Sequence, residues 1–253
     1  MITVAVDALG GDLAPGAVVR GAVQAARRPG IRVLLTGPTE AIRQEILKQG
    51  GHPTQPLDVV EAPDVVDMAE APLLALRRKP GASVRVAADL VAKGQAAAFF
   101  SAGHTGAAFL AAHAAFGLMP GVERPALAVT IPTRSGAALL LDAGANPDCR
   151  PEHLEQFAAM GAAYSALVLN VERPRVGLLS IGEEPDKGND LIREAHARLS
   201  RASFDFIGNL EAREFFTGKA DVIVCDGFTG NIALKVGEGL VEAAEAMLRE
   251  ELG

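Results

Sequence analysis

The chain has 253 residues, 49% apolar and 22% charged, with a formal net charge of −7 at pH 7. That length and apolar content can bury a large core, as one big domain or two modest ones, and exclude disordered and fibrous classes. The acidic balance, a single tyrosine and the lack of tryptophan give neither a basic footprint nor base-stacking platforms, so no nucleic-acid partner is expected.

Ile2 to Val6 reads as a first strand, with no signal-peptide pattern before it. It exits into Asp7-Ala8-Leu9-Gly10-Gly11-Asp12, two glycines between aspartates, either a functional loop or an ordinary strand-to-helix turn. Pro15 suits an early helical position, and a helix is expected over Ala17 to Ala26. Strand Ile31 to Thr36, a helix near Glu40 to Gln49 and strand Leu57 to Glu61 follow. Ala62 to Ala71 is polar and reads as loop, and Leu73 to Lys79 has an apolar face with a basic end, Arg77-Arg78-Lys79. That trio is an anion contact or a solvated helix terminus. Ser83 to Gly94 resembles a helix and Ala96 to Phe100 a strand.

Ser101-Ala102-Gly103-His104-Thr105-Gly106-Ala107 is a second small-residue exit, where backbone N–H groups can face a ligand, before a helix over Ala107 to Phe116. His104 is a functional group there or a plain cap. Pro120 to Pro125 is a connector, with Arg124 a further anion contact. Strand Ala126 to Ile131 and a neighbour over Ala137 to Leu141 flank a turn at Thr133 to Gly136. Asp142-Ala143-Gly144-Ala145-Asn146-Pro147 is a third glycine-bearing exit, leading to a helix over Glu152 to Leu167. Strand Arg175 to Ile181 exits into Gly182 to Asp190, which carries Lys187, before a helix over Leu191 to Ser200. Phe204 to Glu211 is a short strand with a polar exit, and Glu211 to Thr217 a linking turn.

Val222 to Cys225 is a short β-branched run, the pattern of a buried strand. Asp226-Gly227-Phe228-Thr229-Gly230-Asn231 reads as a glycine-rich loop before a helix over Ile232 to Leu252. Ligands collect where strand C-ends meet helix N-termini, so this loop is a candidate ligand contact; the alternative is a tight turn that needs glycine. The recurring strand–loop–helix units imply an α/β fold, a three-layer Rossmann-like sandwich with a mainly parallel sheet. A subdomain boundary is placed near 120–150.

Familiar catalytic signatures are missing: no zinc-type Cys/His spacing, no Walker A pattern, no G-x-G-x-x-G after the first strand and no nucleophile elbow. Cys149 and Cys225 form no disulfide framework and read as core or incidental residues. The longest apolar stretches are too short or too broken to span a bilayer. What remains is a set of glycine-rich exits carrying Asp, Asn, Thr, His and Lys, suited to an oxygen-rich anion.

Taken together and in order, these segments resemble the bacterial phosphate acyltransferase family of phospholipid synthesis. They are Asp7 to Asp12, Ser101 to Ala107, Leu141 to Asn146, Gly182-Glu183-Glu184 with Lys187-Gly188, Phe206 to Glu211, and Asp226 to Asn231 with Leu234-Lys235. Leu9 stands where the family usually has Met, and His104 where it commonly has Asn. Family members continue for several tens of residues past this end, so the resemblance implies one catalytic domain over 1–253 lacking its C-terminal part.

The resemblance implies the phosphotransacetylase and isocitrate/isopropylmalate dehydrogenase fold. It also implies transfer of a long-chain acyl group from acyl carrier protein to inorganic phosphate, a substrate, with no cofactor and no metal. A cytoplasmic homodimer, able to associate peripherally with the membrane, is implied as well. Carried onto this sequence, Lys187, Asn231, Asp226 and His104 are the catalytic candidates. Asp7, Gly10, Gly11, Asp12, Ser101, Gly103, Thr105, Gly106, Asn146, Gly227, Thr229 and Gly230 are the substrate-binding ones. Arg77, Arg78 and Lys79 are candidates for docking an acidic carrier protein. A phosphotransacetylase using coenzyme A thioesters and a noncatalytic anion-binding protein stay open as rivals; a dehydrogenase fits less well without the nucleotide fingerprint.

Overall fold

The structure is a computed structural model and describes residues 1–52 and 56–252; residues 53–55 and Gly253, the expected chain end, lie outside the described residues. The chain forms two units, Met1–Leu118 and Met119–Gly253.

In the first unit, β1 (Ile2–Asp7), β2 (Ile31–Gly37), β3 (Leu57–Glu61) and β4 (Ala98–Phe100) make a parallel sheet in the order β3-β2-β1-β4. Alternation along β2 sends Val33 and Leu35 to one face and Leu34 to the other. The first face packs on α1 (Gly16–Ala25) and α2 (Thr39–Lys48) through Val19, Val23 and Ile42. The second packs on α4 (Ser83–Ala92) through Ala87 and Leu90. Two further helices, α3 (Pro72–Arg78) and α5 (Thr105–Phe116), complete that side.

In the second unit, β5 (Val129–Thr133), β6 (Gly136–Leu141), β7 (Arg175–Ser180), β8 (Asp205–Glu211) and β9 (Val222–Val224) lie in the order β5-β6-β9-β7-β8. The edge strand β5 pairs antiparallel with β6 and the other pairings are parallel. Pro132 is tolerated because β5 is an edge. One face buries Phe157 and Leu154 of α6 (Pro151–Leu167) and Ile192 and Leu199 of α7 (Asp190–Leu199). The other buries Phe215, with the half-buried Ala233 and Leu234 of α8 (Gly227–Leu252) packed against it.

The mainly parallel α/β class therefore holds in each unit, with the strands distributed over two sheets. Several boundaries differ from expectation, three of them with a clear local cause. The strand expected over 126–131 is β5 at Val129–Thr133, because Leu127 is drawn out of the ladder: its N–H donates to Asp142 Oδ1 at 3.0 Å. Helix α5 starts at Thr105 rather than Ala107, since the His104 side chain caps it. Most consequential, the glycine-rich loop after β9 is helix: α8 begins at Gly227. Gly227 and Gly230 serve close packing there instead of loop geometry. A Cβ on Gly227 would lie 2.7 Å from Asn146 N, and one on Gly230 would lie within van der Waals exclusion of the Asp142 carbonyl.

Candidate active site

In the second unit, Asp226 ends the β9 segment and caps α8. Its Oδ1 accepts the Thr229 N–H at 2.9 Å and its Oδ2 accepts the Thr229 hydroxyl at 2.8 Å. A carboxylate here satisfies an orphan donor and complements the helix dipole. The Thr229 proton is thereby engaged, so Thr229 offers a ligand an acceptor. Asn189 caps α7 in the same manner, its Oδ1 accepting the Ile192 N–H at 3.0 Å. Asn189, Gly188, Asp226 and Thr229 line one groove, so the two helix N-termini meet at a single place.

Lys187, next to Gly188, is exposed, and no ion pair among the described residues involves it. Its methylene stem lies against Gly182, where a Cβ would come 2.8 Å from Lys187 Cγ. Asn231 is exposed; its Nδ2 donates to the Ala143 carbonyl at 3.3 Å, which leaves the second amide hydrogen and the amide oxygen for a ligand.

Asn146 is buried, and its carbonyl accepts the first N–H of α8, from Gly227, at 2.8 Å. Behind it stands Asp142, fully buried, which was not among the expected site residues. Asp142 Oδ1 accepts from the N–H groups of Leu127, Gly144 and Ala145, and Oδ2 from Asn146 N and Nδ2, both at 2.7 Å. A carboxylate filled by N–H donors needs no cation partner. The legible signal was an Asp closing an apolar run ahead of small residues. A second unforeseen tie holds the Lys187 loop: Asn209, 2% exposed, donates to the Glu184 carbonyl at 2.8 Å and meets His196 Nδ1 at 2.9 Å.

In the first unit, Asp7 is 3% exposed and ties three elements together. Its Oδ1 accepts the Ser83 hydroxyl at 2.5 Å and the Leu9 N–H, and its Oδ2 accepts the Ser101 hydroxyl at 2.7 Å. Ser101 Oγ in turn accepts the Gly103 N–H. Gly10 and Gly103 allow the two strand exits to touch: a Cβ on Gly10 would be 2.6 Å from Asp7 Oδ2 and 2.8 Å from Gly103 N. Asp7, Gly10, Ser101, Gly103 and His104 border one small cavity. His104 Nδ1 accepts the Gly106 N–H at 3.1 Å, which puts the ring proton of the neutral side chain on Nε2. Thr105 and Gly106 are the opening residues of α5, Gly11 sits at φ +104°, and Asp12 is exposed.

The cysteines remain outside the chemistry. Burial pushes the Cys149 thiol up to about 11 and raises that of Cys225 well above the ordinary range, with the Asp226 and Asp142 charges adding to the latter. Neither supplies thiolate at neutral pH. Of the basic trio, Lys79 is tied to Glu70 at 2.5 Å and to the Val65 carbonyl, while Arg77 and Arg78 are exposed. Among the described residues, no cluster of three His, Cys, Asp or Glu side chains could hold a metal ion.

Glycine-tightened strand exits run into capped helix N-termini in this α/β protein, and the fold has a solved counterpart. The phosphotransacetylase EutD from Staphylococcus aureus matches 95% of this chain and 82% of its own, at a TM-score of 0.67 and 18% identity. Sequence relatives are nearer. Phosphate acyltransferase of Geobacter sulfurreducens is 51% identical over 251 residues, 98% of this chain and 72% of the relative. Phosphate acyltransferase of Heliobacterium modesticaldum is 47% identical over 249 residues, 98% of this chain and 74% of the relative. The family model for fatty acid synthesis protein matches residues 2–253, and the chain belongs to that family.

Proposed function

We propose that the protein transfers a long-chain acyl group from acyl carrier protein to inorganic phosphate, giving acyl-phosphate for phospholipid synthesis. The observation that carries this reading is the meeting of the α7 and α8 N-termini in one groove, with Lys187 three residues ahead of α7 on the chain. The dipoles at these two helix N-termini and an exposed lysine without an ion pair among the described residues suit a phosphate dianion. A phosphate oxygen attacks the thioester carbonyl carbon, the C–S bond breaks, and the phosphate's proton ends on the departing sulfur. Hydrogen phosphate and thioester thus become acyl-phosphate and thiol with no net proton, and the reaction needs no cofactor.

Lys187 is assigned the phosphate or oxyanion charge, and Asn231 a donor that orients phosphate or the tetrahedral oxygen. Asp226 and Thr229 form the cap that fixes the start of α8, with Asn146, Gly227 and Gly230 as its packing partners. His104 is assigned a proton-carrying Nε2. Asp7, Gly10, Gly11, Asp12, Ser101, Gly103, Thr105 and Gly106 are assigned to substrate binding through the geometry of the first unit's exits. Much of the rate comes from holding two reactants in register.

Arg77 and Arg78 are the surface we assign to the acidic carrier protein, with Leu73 and Leu74, each 50% exposed, beside them. A homodimer in the cytoplasm, peripheral at the inner face of the membrane, is the setting we infer from the resemblance. Among the described residues no helix is long and apolar enough to cross a membrane. Incubation with phosphate and palmitoyl carrier protein or palmitoyl coenzyme A, followed by mass, tests the proposal. Acyl-phosphate should form from both, with the higher kcat/KM for the carrier protein. A preference for coenzyme A would move the reading to a phosphotransacetylase-like enzyme, and consumption of neither donor would end it in favour of a noncatalytic anion binder.

A further inference from the structure

Lys187 lies in the connection between β7 and α7, residues 181–189, and its side chain is exposed. A long, flexible amine on a loop delivers charge to one point only when its backbone is held. One carbonyl oxygen is central to that hold. Glu184 O accepts the Lys187 N–H at 3.1 Å and, from outside the loop, the Asn209 Nδ2–H at 2.8 Å. A carbonyl can only accept, so the Asn209 amide is oriented with Oδ1 turned away from it, to His196 Nδ1 at 2.9 Å. Oδ1 too can only accept, so His196 donates from Nδ1. A directed chain of hydrogen bonds thus runs from α7 through Asn209 and the Glu184 carbonyl to Lys187.

Strand β8 is shaped for this contact. Its pairing with β7 sets Val176 opposite Phe206 and Leu178 opposite Asn209, so β8 carries one extra residue between the two pairs, and Gly208 there has φ +94°. Such a bulge re-aims the side chains that follow it. Phe206 packs in the cluster under α6 and α7, and Ile207 in the one under α8. Unbroken alternation would send Asn209 the same way as Ile207, toward α8. With the extra residue Asn209 turns to the α7 side and meets His196, and Leu210 takes the α8 side. The His196 ring is itself set by Phe206, edge-on at a centroid distance of 5.2 Å and an interplanar angle of 73°. Two other side-chain ties to the loop, Lys219 to Glu183 and Arg193 to the Gly188 carbonyl, are exposed and hold weakly. Asn209 is buried, where an amide that loses its partner is costly.

We propose that Asn209, backed by His196, is a positioning residue for Lys187, fixing where its amine stands in the acyl-transfer step. The inference rests on the role given to Lys187 above and adds the groups through which that role is set. Neither Asn209 nor His196 borders the groove, so each acts through the loop.

A double-mutant cycle tests this. kcat/KM for phosphate is measured for the wild type, Asn209→Ala, Lys187→Ala and the double variant, under conditions where urea unfolding shows each to be folded. Deuterium uptake of the segment 182–189 is followed in parallel. Asn209→Ala should lower kcat/KM at least about tenfold and raise uptake in that segment. In the Lys187→Ala background the same change should cost less than about twofold, because the group it positions is gone. Losses that multiply would make Asn209 a purely structural residue and overturn the proposal, as would full activity of Asn209→Ala. Should Asn209→Ala not fold, His196 carries the test. His196→Leu should lower kcat/KM, and His196→Asn, whose amide nitrogen takes the place of Nδ1, should restore it to within about twofold of wild type. Equal losses in both, or none in either, overturn the proposal. A wild type that makes no acyl-phosphate from phosphate and palmitoyl carrier protein fails the transferase reading itself, whereas an active wild type with multiplying losses fails the positioning role alone.

Discussion

Two aspartates that close apolar strands perform different work. Asp226 caps α8 through Thr229, whereas Asp142 collects N–H donors from four residues and supports the loop on which α8 begins. Removing a cap costs about 1 kcal/mol. Removing Asp142 leaves several buried donors unpaired, a loss of at least about 3 kcal/mol. Urea unfolding should accordingly rank Asp142→Ala as far more destabilising than Asp226→Ala; equal midpoints would contradict the buried network. Lys187→Ala should keep near-wild-type unfolding while lowering kcat/KM for phosphate at least tenfold, since an exposed lysine without an ion pair contributes charge and only its stem's contact with Gly182. Iodoacetamide at pH 7.5 should leave activity intact, because Cys149 titrates only near 11 and Cys225 is fully buried. Rapid inactivation with stoichiometric labelling would reopen a thiol role.

At the scale of elements, the sheet of the second unit is held at β7 and β9 by a bidentate clasp. Arg175 Nε and Nη2 donate to Asp221 Oδ2 and Oδ1, each at 2.9 Å, where β7 begins and just before β9. Burial raises the Asp221 carboxyl, but the hydrogen bonds and charge of Arg175 outweigh it and hold the group below its ordinary value. A depressed carboxylate stabilises the fold above its unfolded pKa, about 3.9, and that contribution is lost as pH falls through the lower folded value. Asp221→Asn should therefore cost about 1–2 kcal/mol at pH 7. The gap to wild type should persist to about pH 5 and close in stronger acid. A gap that widened on acidification would reverse the sign. Close packing of α6 on the sheet is equally specific: a Cβ on Gly161 would lie 2.5 Å from Val222 Cγ1, so Gly161→Ala should destabilise by about 1–3 kcal/mol.

For the whole molecule, the α/β class was legible because strand and helix periods alternate along the chain, and every expected strand has a counterpart. Two things were not. Strands β6 and β9 are neighbours although more than a helix and two strands separate them in sequence, and no local pattern states such pairings. The distribution over two sheets follows from pairings of that kind. The start of α8 was hidden because glycine usually marks a loop. At Gly227 and Gly230 the requirement comes from the Asn146 and Asp142 backbones, a contact across more than 80 residues. The motifs that carry the family resemblance were readable in order. Which of their side chains, like Asp7 and Asp226, make the hydrogen bonds that hold the exits was not, because residue type does not disclose a hydrogen-bond partner.

The central claim is that phosphate itself attacks the thioester. Oxygen-18-labelled inorganic phosphate with palmitoyl carrier protein tests it in one mass measurement. The account predicts palmitoyl-phosphate carrying the labelled oxygens, with one thiol released per molecule formed. Thiol release accompanied by unlabelled palmitate and no acyl-phosphate would contradict it, because water and not phosphate would then be the nucleophile.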